Sequence, residues 1–240
     1  MNKFIIILAY YNRPKLVLHA LESIKNLDYD NYEVHFIDDG STERGEPVVR
    51  DFCSEIIDKF KFYYIDNTPE DKTKQGGSIH GKYMNDIIQN NQSDVIIILC
   101  DDDALFPNYL SNLNKFFNEN PNTMWAYSHV NYYNPEEDHY SNGTFDPPVF
   151  NASFPKLNMH RSPINPANNV DSTQVCFSRK AFIDGNIWYT YPKTKNLDSD
   201  IYNRMFQKWG LCPFTEFFSQ YKAWFPNQLC WNTNKNIWII

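Results

Sequence analysis

The chain opens on an unbroken apolar run, Phe4 to Ala9, rich in β-branched residues. Such a run predicts a strand of a parallel sheet buried on both faces. Behind it Leu16, Leu18, Ala20, Leu21, Ile24 and Leu27 make a broad apolar stripe that predicts a helix, with Pro14 suited to its first turn. The pattern then repeats. Tyr32 to Ile37 reads as a second strand, stopped by Asp38-Asp39-Gly40-Ser41-Thr42, and Val48, Val49, Phe52, Ile56, Ile57 and Phe60 mark the next helix. Lys61 to Ile65 predicts a third strand. A polar stretch from Asp66 to Gln75 leads to a helix around Ile79 to Gln89, and Val95 to Cys100, the most hydrophobic strand, ends abruptly in Asp101-Asp102-Asp103. Strand and helix alternating at this interval predict an α/β fold, a mostly parallel central sheet with right-handed crossovers. Past about residue 124 the alternation dissolves into longer loops, prolines become frequent and all 6 tryptophans occur. No Gly/Ser-rich linker separates the two parts, so one domain is expected over 1–240.

Composition narrows what that domain handles. Lys+Arg 22 against Asp+Glu 29 gives a net charge of −7, which repels a nucleic-acid backbone and excludes that partner. Glycine is scarce at 8 residues of 240, against an average usage of about 7%, so a glycine-rich phosphate loop has little raw material. An acidic chain of this kind needs a cation to hold phosphate. The 5 cysteines are scattered without a CxxC pair, which argues against a disulfide framework or zinc knuckle and for reduced thiols in a cytoplasmic protein. No apolar run approaches the roughly 18 residues of a membrane span.

Ligands of open parallel sheets bind beyond the carboxyl ends of the strands. Three strand ends carry chemistry here: Tyr10-Tyr11-Asn12-Arg13, Asp38-Asp39 and Asp101-Asp102-Asp103. Three consecutive carboxylates at a buried strand tip repel one another unless a positive charge joins them, and Mg²⁺ or Mn²⁺ with its oxygen ligands is an economical choice. Gly76 to Tyr83 fits the spacing GxxxxGK, but Tyr83 stands where a metal-binding Ser or Thr belongs, and about ten polar residues separate it from the preceding strand. A phosphate-loop NTPase is therefore set aside.

Ile5 to Arg13, then Phe36-Ile37-Asp38-Asp39-Gly40-Ser41-Thr42, then Ile97 to Asp103 followed by Pro107 and Tyr109-Leu110, resemble in order and spacing the motifs of family 2 glycosyltransferases with the GT-A fold. The likeness covers roughly residues 3–135 and returns at Asp198 to Arg204, similar to the family's ED-x-D-hydrophobic-x-x-R segment. It implies a single GT-A-type, Rossmann-like domain with a nucleotide-binding half, 1–130, and a mixed acceptor-binding half, 131–240. Ala9, Tyr11 and Arg13 would then line the nucleotide site, Tyr11 by stacking on the base. Asp39 would accept a hydrogen bond from the base, Asp101 would touch the ribose, and Lys74 and Lys82 are candidates for the diphosphate. Asp102 would hold the metal with Asp103 beside it, and Asn85 matches an Asn that opens the helix before the metal strand. Two departures stand out: Cys100 replaces the first Asp of D-x-D, and Leu197 replaces the Glu before the base.

The reaction so implied is inverting transfer of one sugar from a nucleoside-diphosphate sugar, a UDP-sugar first, to a hydroxyl of a glycan or glycoconjugate. Asp198 is the implied general base and Asp200 its alternative. Each residue also has a plain structural reading: Asp39 or Asp198 can cap a helix, and Tyr11 can be core. Trp188 can stack on an acceptor sugar. The family's QxxRW motif of processive enzymes is absent. Other classes remain open, namely a catalytically silent GT-A-like binding module, which the two departures favour, and a sugar-nucleotide nucleotidyltransferase. The latter requires a glycine-rich basic loop after the first strand, which Tyr10 to Arg13 does not supply.

Overall fold

The structure, a computed structural model, describes residues 1–66, 68, 79–133, 140–141, 144–145, 162–191, 197–223, 230–232 and 237–239. In chain order its elements are β1 (Phe4–Tyr10), α1 (Val17–Lys25), β2 (Tyr32–Asp38), α2 (Gly45–Phe52), β3 (Phe60–Tyr64), α3 (Ile79–Asn90) and β4 (Val95–Cys100). There follow β5 (Ala104–Leu105), α4 (Tyr109–Glu119), β6 (Trp125–Tyr133), β7 (Tyr140–Ser141), β8 (Thr144–Phe145), β9 (Val175–Ser178), α5 (Arg179–Ile183), α6 (Leu197–Trp209), β10 (Phe214–Ala223), β11 (Cys230–Asn232) and β12 (Ile237–Ile239). Eight strands form one sheet in the order β3-β2-β1-β4-β9-β6-β10-β5. Neighbours from β3 to β4 are parallel, β9 runs antiparallel between β4 and β6, and β10 returns parallel to β6.

The unbroken apolar strands follow from burial on both faces. Phe4, Ile6, Leu8 and Tyr10 of β1 pack with α1, α2 and α4, whereas Ile5 and Ile7 pack with α3, α5 and α6. Alternate residues thus enter two separate cores, each buried side chain of this size contributing about 1.5–3 kcal/mol. Glycine matters where layers meet closely. A Cβ at Gly45 would lie 2.5 Å from Phe36 Cζ, so the N-terminus of α2 can approach β2 only without one.

The expected strands appear within one residue of their predicted bounds, but some other features differ. Pro14 lies outside α1, in a turn over 14–16 that leads into the helix at Val17, where Val17 N–H donates to Arg13 C=O. The second helix does not run to Phe60: α2 stops at Phe52, a 3₁₀ segment covers Ser54–Lys59 with non-helical backbone at Ile56, and Phe60 begins β3. Beyond residue 124 the chain is more ordered than its patterning suggests, since β6, β9 and β10 all enter the central sheet. The expected division at 130/131 falls inside β6.

Candidate active site

The first wall of the site is built where β1 and β2 end. Asn12 adopts a left-handed backbone, φ 51°, which an Asn tolerates better than most side chains. From there its Oδ1 accepts hydrogen bonds from Thr42 N–H at 2.8 Å and Glu43 N–H at 3.2 Å, while its own N–H donates to Ser41 Oγ. The two strand-end loops are thereby pinned together. Asp38 is buried and turned inward, accepting from Ser41 N–H at 2.9 Å and Gly45 N–H at 3.0 Å. Asp38 thus satisfies the first N–H of α2, and Asp39 joins Ala9, Tyr11 and Arg13 in lining a cavity of about 420 Å³. Tyr11 is 38% exposed, a surface ring rather than core.

The three carboxylates after β4 separate by partner. Asp101 accepts from Tyr11 N–H at 2.9 Å and from Arg13 Nη1 at 3.1 Å, and Asp102 accepts from the same Nη1 at 2.9 Å. Both are buried, yet both line the cavity. Burial and then the charge of Asp102 push the Asp101 carboxyl up to about 6, against the opposing pull of Arg13. Asp103 turns elsewhere. It is 0% exposed, and its Oδ2 accepts from Thr173 Oγ1 and Gln220 Nε2, both at 3.1 Å, and faces Lys222 Nζ at 3.4 Å.

Lys222, on β10, sits between Asp103 and Asp171, with Nζ 3.0 Å from Asp171 Oδ2, and lines the same cavity. Burial opposes its charge, but Asp103 and Asp171 outweigh it and hold the ammonium well above the ordinary lysine range. Gln220 braces the pair, its Nε2 also donating to Asp171 Oδ1 at 3.2 Å. Asp171 in turn opens a short 3₁₀ turn with a capping box, Asp171 Oδ1 accepting from Thr173 N–H and Gln174 Oε1 from Asp171 N–H.

Could this floor hold a divalent cation? Cys100 Sγ and one oxygen each of Asp102 and Asp103 lie within 4.8 Å of one another. Burial, then the charge of Asp103, raises the Cys100 thiol well above its ordinary value, and a soft sulfur is in any case a poor match for a hard cation that takes oxygen ligands. Four carboxylates, Asp101, Asp102, Asp103 and Asp171, face two cations, Arg13 and Lys222, and the negative surplus remains at the cavity floor. A hard cation that takes one or two carboxylates and fills its other positions with water and substrate phosphate fits such a donor set, with Asp102 the ligand open to the cavity.

The start of α6 lies near this group, close enough for Asp198 to feel the charges of Asp171 and Lys222. Asn85 of α3 pairs with the backbone of Tyr189 in both directions at 2.8 Å, fixing the segment that leads toward α6. A Cβ at Gly81 would lie 3.2 Å from Leu197 Cδ1 and 3.3 Å from Tyr189 Cβ. Gly81 thus lets α3, whose His80 lines the cavity, pack closely against the first residue of α6. Leu197, in place of the family's Glu, packs with the apolar cluster below.

The two acidic residues of that helix differ. Asp200 accepts from Thr190 Oγ1 at 2.8 Å and is ion-paired with Arg204 one turn along. Among the described residues no hydrogen bond reaches Asp198. Burial, and then the nearby charge of Asp171, push its carboxyl up to about 7, with Lys222 opposing. Lys222, which lines the cavity, therefore couples it electrostatically to the start of α6.

Of the site residues expected from sequence, the structure gathers Ala9, Tyr11, Arg13, Asp39, Asp101 and Asp102 around one cavity, with Asp103 beneath it. Lys74 and the glycines Gly76 and Gly77 lie outside the described residues. Lys82 is exposed and does not line the cavity. Trp188 packs on Phe182 with ring centroids 6.2 Å apart and donates to Asn186 Oδ1. Sequence reasoning missed Asp171, Gln220 and Lys222, which lie in or after the stretch whose pattern gave no strands.

A mostly parallel sheet with helices on both faces and acidic residues at the tip of a central strand is the architecture of a GT-A glycosyltransferase fold. Residues 5–186 match the sequence profile of glycosyl transferase family 2, and the chain belongs to that family. It is 29% identical over 136 residues to an uncharacterized glycosyltransferase of Rickettsia bellii, covering 57% of this chain and 18% of that protein. It is 25% identical over 172 residues to Protein CgeD of Bacillus subtilis, covering 68% of this chain and 39% of that one. The chain thus spans less than half the length of these relatives. Among solved structures, S. aureus TarS 1–349 in complex with UDP superposes with a TM-score of 0.68 at 16% identity, covering 94% of this chain and 61% of that one. The mannosyltransferase PcManGT from Pyrobaculum calidifontis, in complex with GDP-Man and Mn²⁺, gives 0.63 at 16% identity, covering 91% and 56%. These likenesses show the fold.

Proposed function

We propose that this chain transfers one sugar, with inversion, from a nucleoside-diphosphate sugar, a UDP-sugar first, to a hydroxyl of a carbohydrate acceptor. The observation that carries the reading is the cavity lined by Tyr11, Asp39, Asp101, Asp102 and Lys222, together with Asp198, whose carboxyl interacts with Lys222 and is raised to about 7. Tyr11 presents its ring to the base, Asp39 accepts from the base edge, and Asp101 faces the ribose. Asp102 would hold Mn²⁺ or Mg²⁺, which when bound neutralises charge developing on the diphosphate. Asp198 accepts the proton of the attacking hydroxyl as its oxygen bonds the anomeric carbon. The anomeric C–O bond to the diphosphate breaks with its electron pair on the leaving oxygen, and attack from the opposite face inverts the centre. Asp200, occupied by Arg204 and Thr190, positions the helix rather than the proton.

A binding module that turns nothing over is the second reading, which the protonated Cys100 in the place of an Asp favours. Thermal shifts with UDP and GDP, each with and without Mn²⁺, together with Mn²⁺-dependent hydrolysis of UDP-sugars, separate the two. A Mn²⁺-enhanced shift for one nucleotide, and turnover that falls about a hundredfold in Asp102→Ala, are expected. A shift without turnover in any donor would leave only the binding module.

A further inference from the structure

We propose that Lys222 is a second, protein-borne cation for the donor's diphosphate, so that part of its recognition does not depend on metal. The inference rests on the nucleotide-sugar reading and adds a residue to it from a strand the family-like motifs do not include.

An ammonium has three N–H donors. Two are taken by Asp103 Oδ2 at 3.4 Å and Asp171 Oδ2 at 3.0 Å, and no described residue accepts the third. The Lys222 side chain is 16% exposed, and what it is exposed to is the cavity shared with Asp102, Asp101 and Tyr11. Its clamp is more elaborate than charge neutralisation requires. Asp103 already accepts from Thr173 and Gln220, and Asp171 from Gln220 and the Thr173 N–H. These neutral donors hold the two carboxylates at fixed positions, and the carboxylates hold a flexible four-carbon side chain at one point of the cavity rim.

Among the described residues His80 also lines the cavity, but Arg13 and Lys82 are placed differently. Arg13 bridges Asp101 and Asp102, and Lys82 is exposed away from the cavity. A diphosphate entering beside Asp101 and Asp102 meets repulsion from both, so a fixed positive charge next to them discriminates in favour of the phosphate farther from the base. Base and ribose contacts through Tyr11, Asp39 and Asp101 do not involve Lys222. Its effect should therefore depend on the number of phosphates.

Calorimetric titration of UDP and UMP, with GDP and GMP as a parallel pair, into wild type, Lys222→Met and Lys222→Arg tests this in EDTA and again in Mn²⁺. Wild type should prefer the diphosphate in EDTA. Lys222→Met should lose roughly ten- to hundredfold of diphosphate affinity, the range of one hydrogen bond between charged groups, with monophosphate affinity unchanged and Lys222→Arg intermediate. Because Lys222→Met leaves Asp103 and Asp171 without their cation, Lys222→Met/Asp171→Asn is measured beside it, and the melting temperature of each variant is recorded. An unaltered preference for the diphosphate in a folded Lys222→Met or double variant overturns the role of Lys222 while leaving the nucleotide site intact. Binding of no nucleotide by wild type in either buffer overturns the nucleotide-sugar reading and this inference together.

Discussion

Two acidic stretches, Asp101 to Asp103 after β4 and Asp198 with Asp200 at the start of α6, read alike as letters and behave differently in space. In the turn that follows β4, Asp101 and Asp102 meet the cavity and Arg13 while Asp103 sinks to full burial among Thr173, Gln220 and Lys222. On the helix, Asp200 reaches Arg204 four residues on, whereas Asp198, two residues earlier, faces toward Asp171 and Lys222. In each stretch, then, neighbouring carboxylates are given different partners: Arg13 for Asp101 and Asp102 but Lys222 for Asp103, and Arg204 for Asp200 but not for Asp198. Proximity in sequence says little about role; the partner that each backbone geometry delivers decides it.

The comparison breaks first if Asp198 is ordinary. Asp198→Asn should lower transfer by about 10²- to 10⁴-fold with nucleotide affinity retained. A base must be unprotonated to accept a proton, so with its carboxyl raised to about 7 the wild-type rate should climb with pH through that value and level off above it. A rate already flat between pH 5 and 8 would remove Asp198 from that role.

A smaller effect, on stability, separates Asp103 from its neighbours. Asp103→Ala leaves Lys222 with one carboxylate in a buried setting and should cost about 3 kcal/mol, a fall in Tm of roughly 10 °C, whether or not Mn²⁺ is present. Thermal denaturation monitored by circular dichroism checks it. An unchanged Tm with loss of the Mn²⁺ response would instead make Asp103 a ligand like Asp102. The smallest change is expected at the other end: Asp200→Asn breaks a partly exposed ion pair, worth at most about 1 kcal/mol, and should keep transfer within about tenfold of wild type in a steady-state assay. An inactive Asp200→Asn beside an active Asp198→Asn would exchange the two assignments.

Much of the first half could be read directly. β1 and β4 are continuous apolar runs because both faces are buried, β2 interrupts its run with Glu33 and His35, β3 is an edge strand with Lys61 and Tyr64 exposed, and the ends of β1, β2 and β4 are marked by the polar residues that line the cavity. The rest was hidden for a definite reason. β9 is four residues long, inserts antiparallel between β4 and β6, and comes from far along the chain, so no local period announces it. Gly81 reads as a phosphate-loop glycine, yet its small size serves the contact with Leu197 and Tyr189.

Local pattern thus specified the strands and most of the helices among the described residues of 1–110, because strand, helix and strand-end loop are short-range consequences of hydrophobic period and turn chemistry. Which carboxylate keeps a cation was settled by pairings across the sheet. Lys222 and Asp103 are separated by 119 positions and Gln220 and Asp171 by 49, and burial converts those pairings into the charge states of the site. Hydrophobic patterning carries no record of such contacts, since a buried ion pair depends on distance and desolvation, and both arise only once the chain has closed.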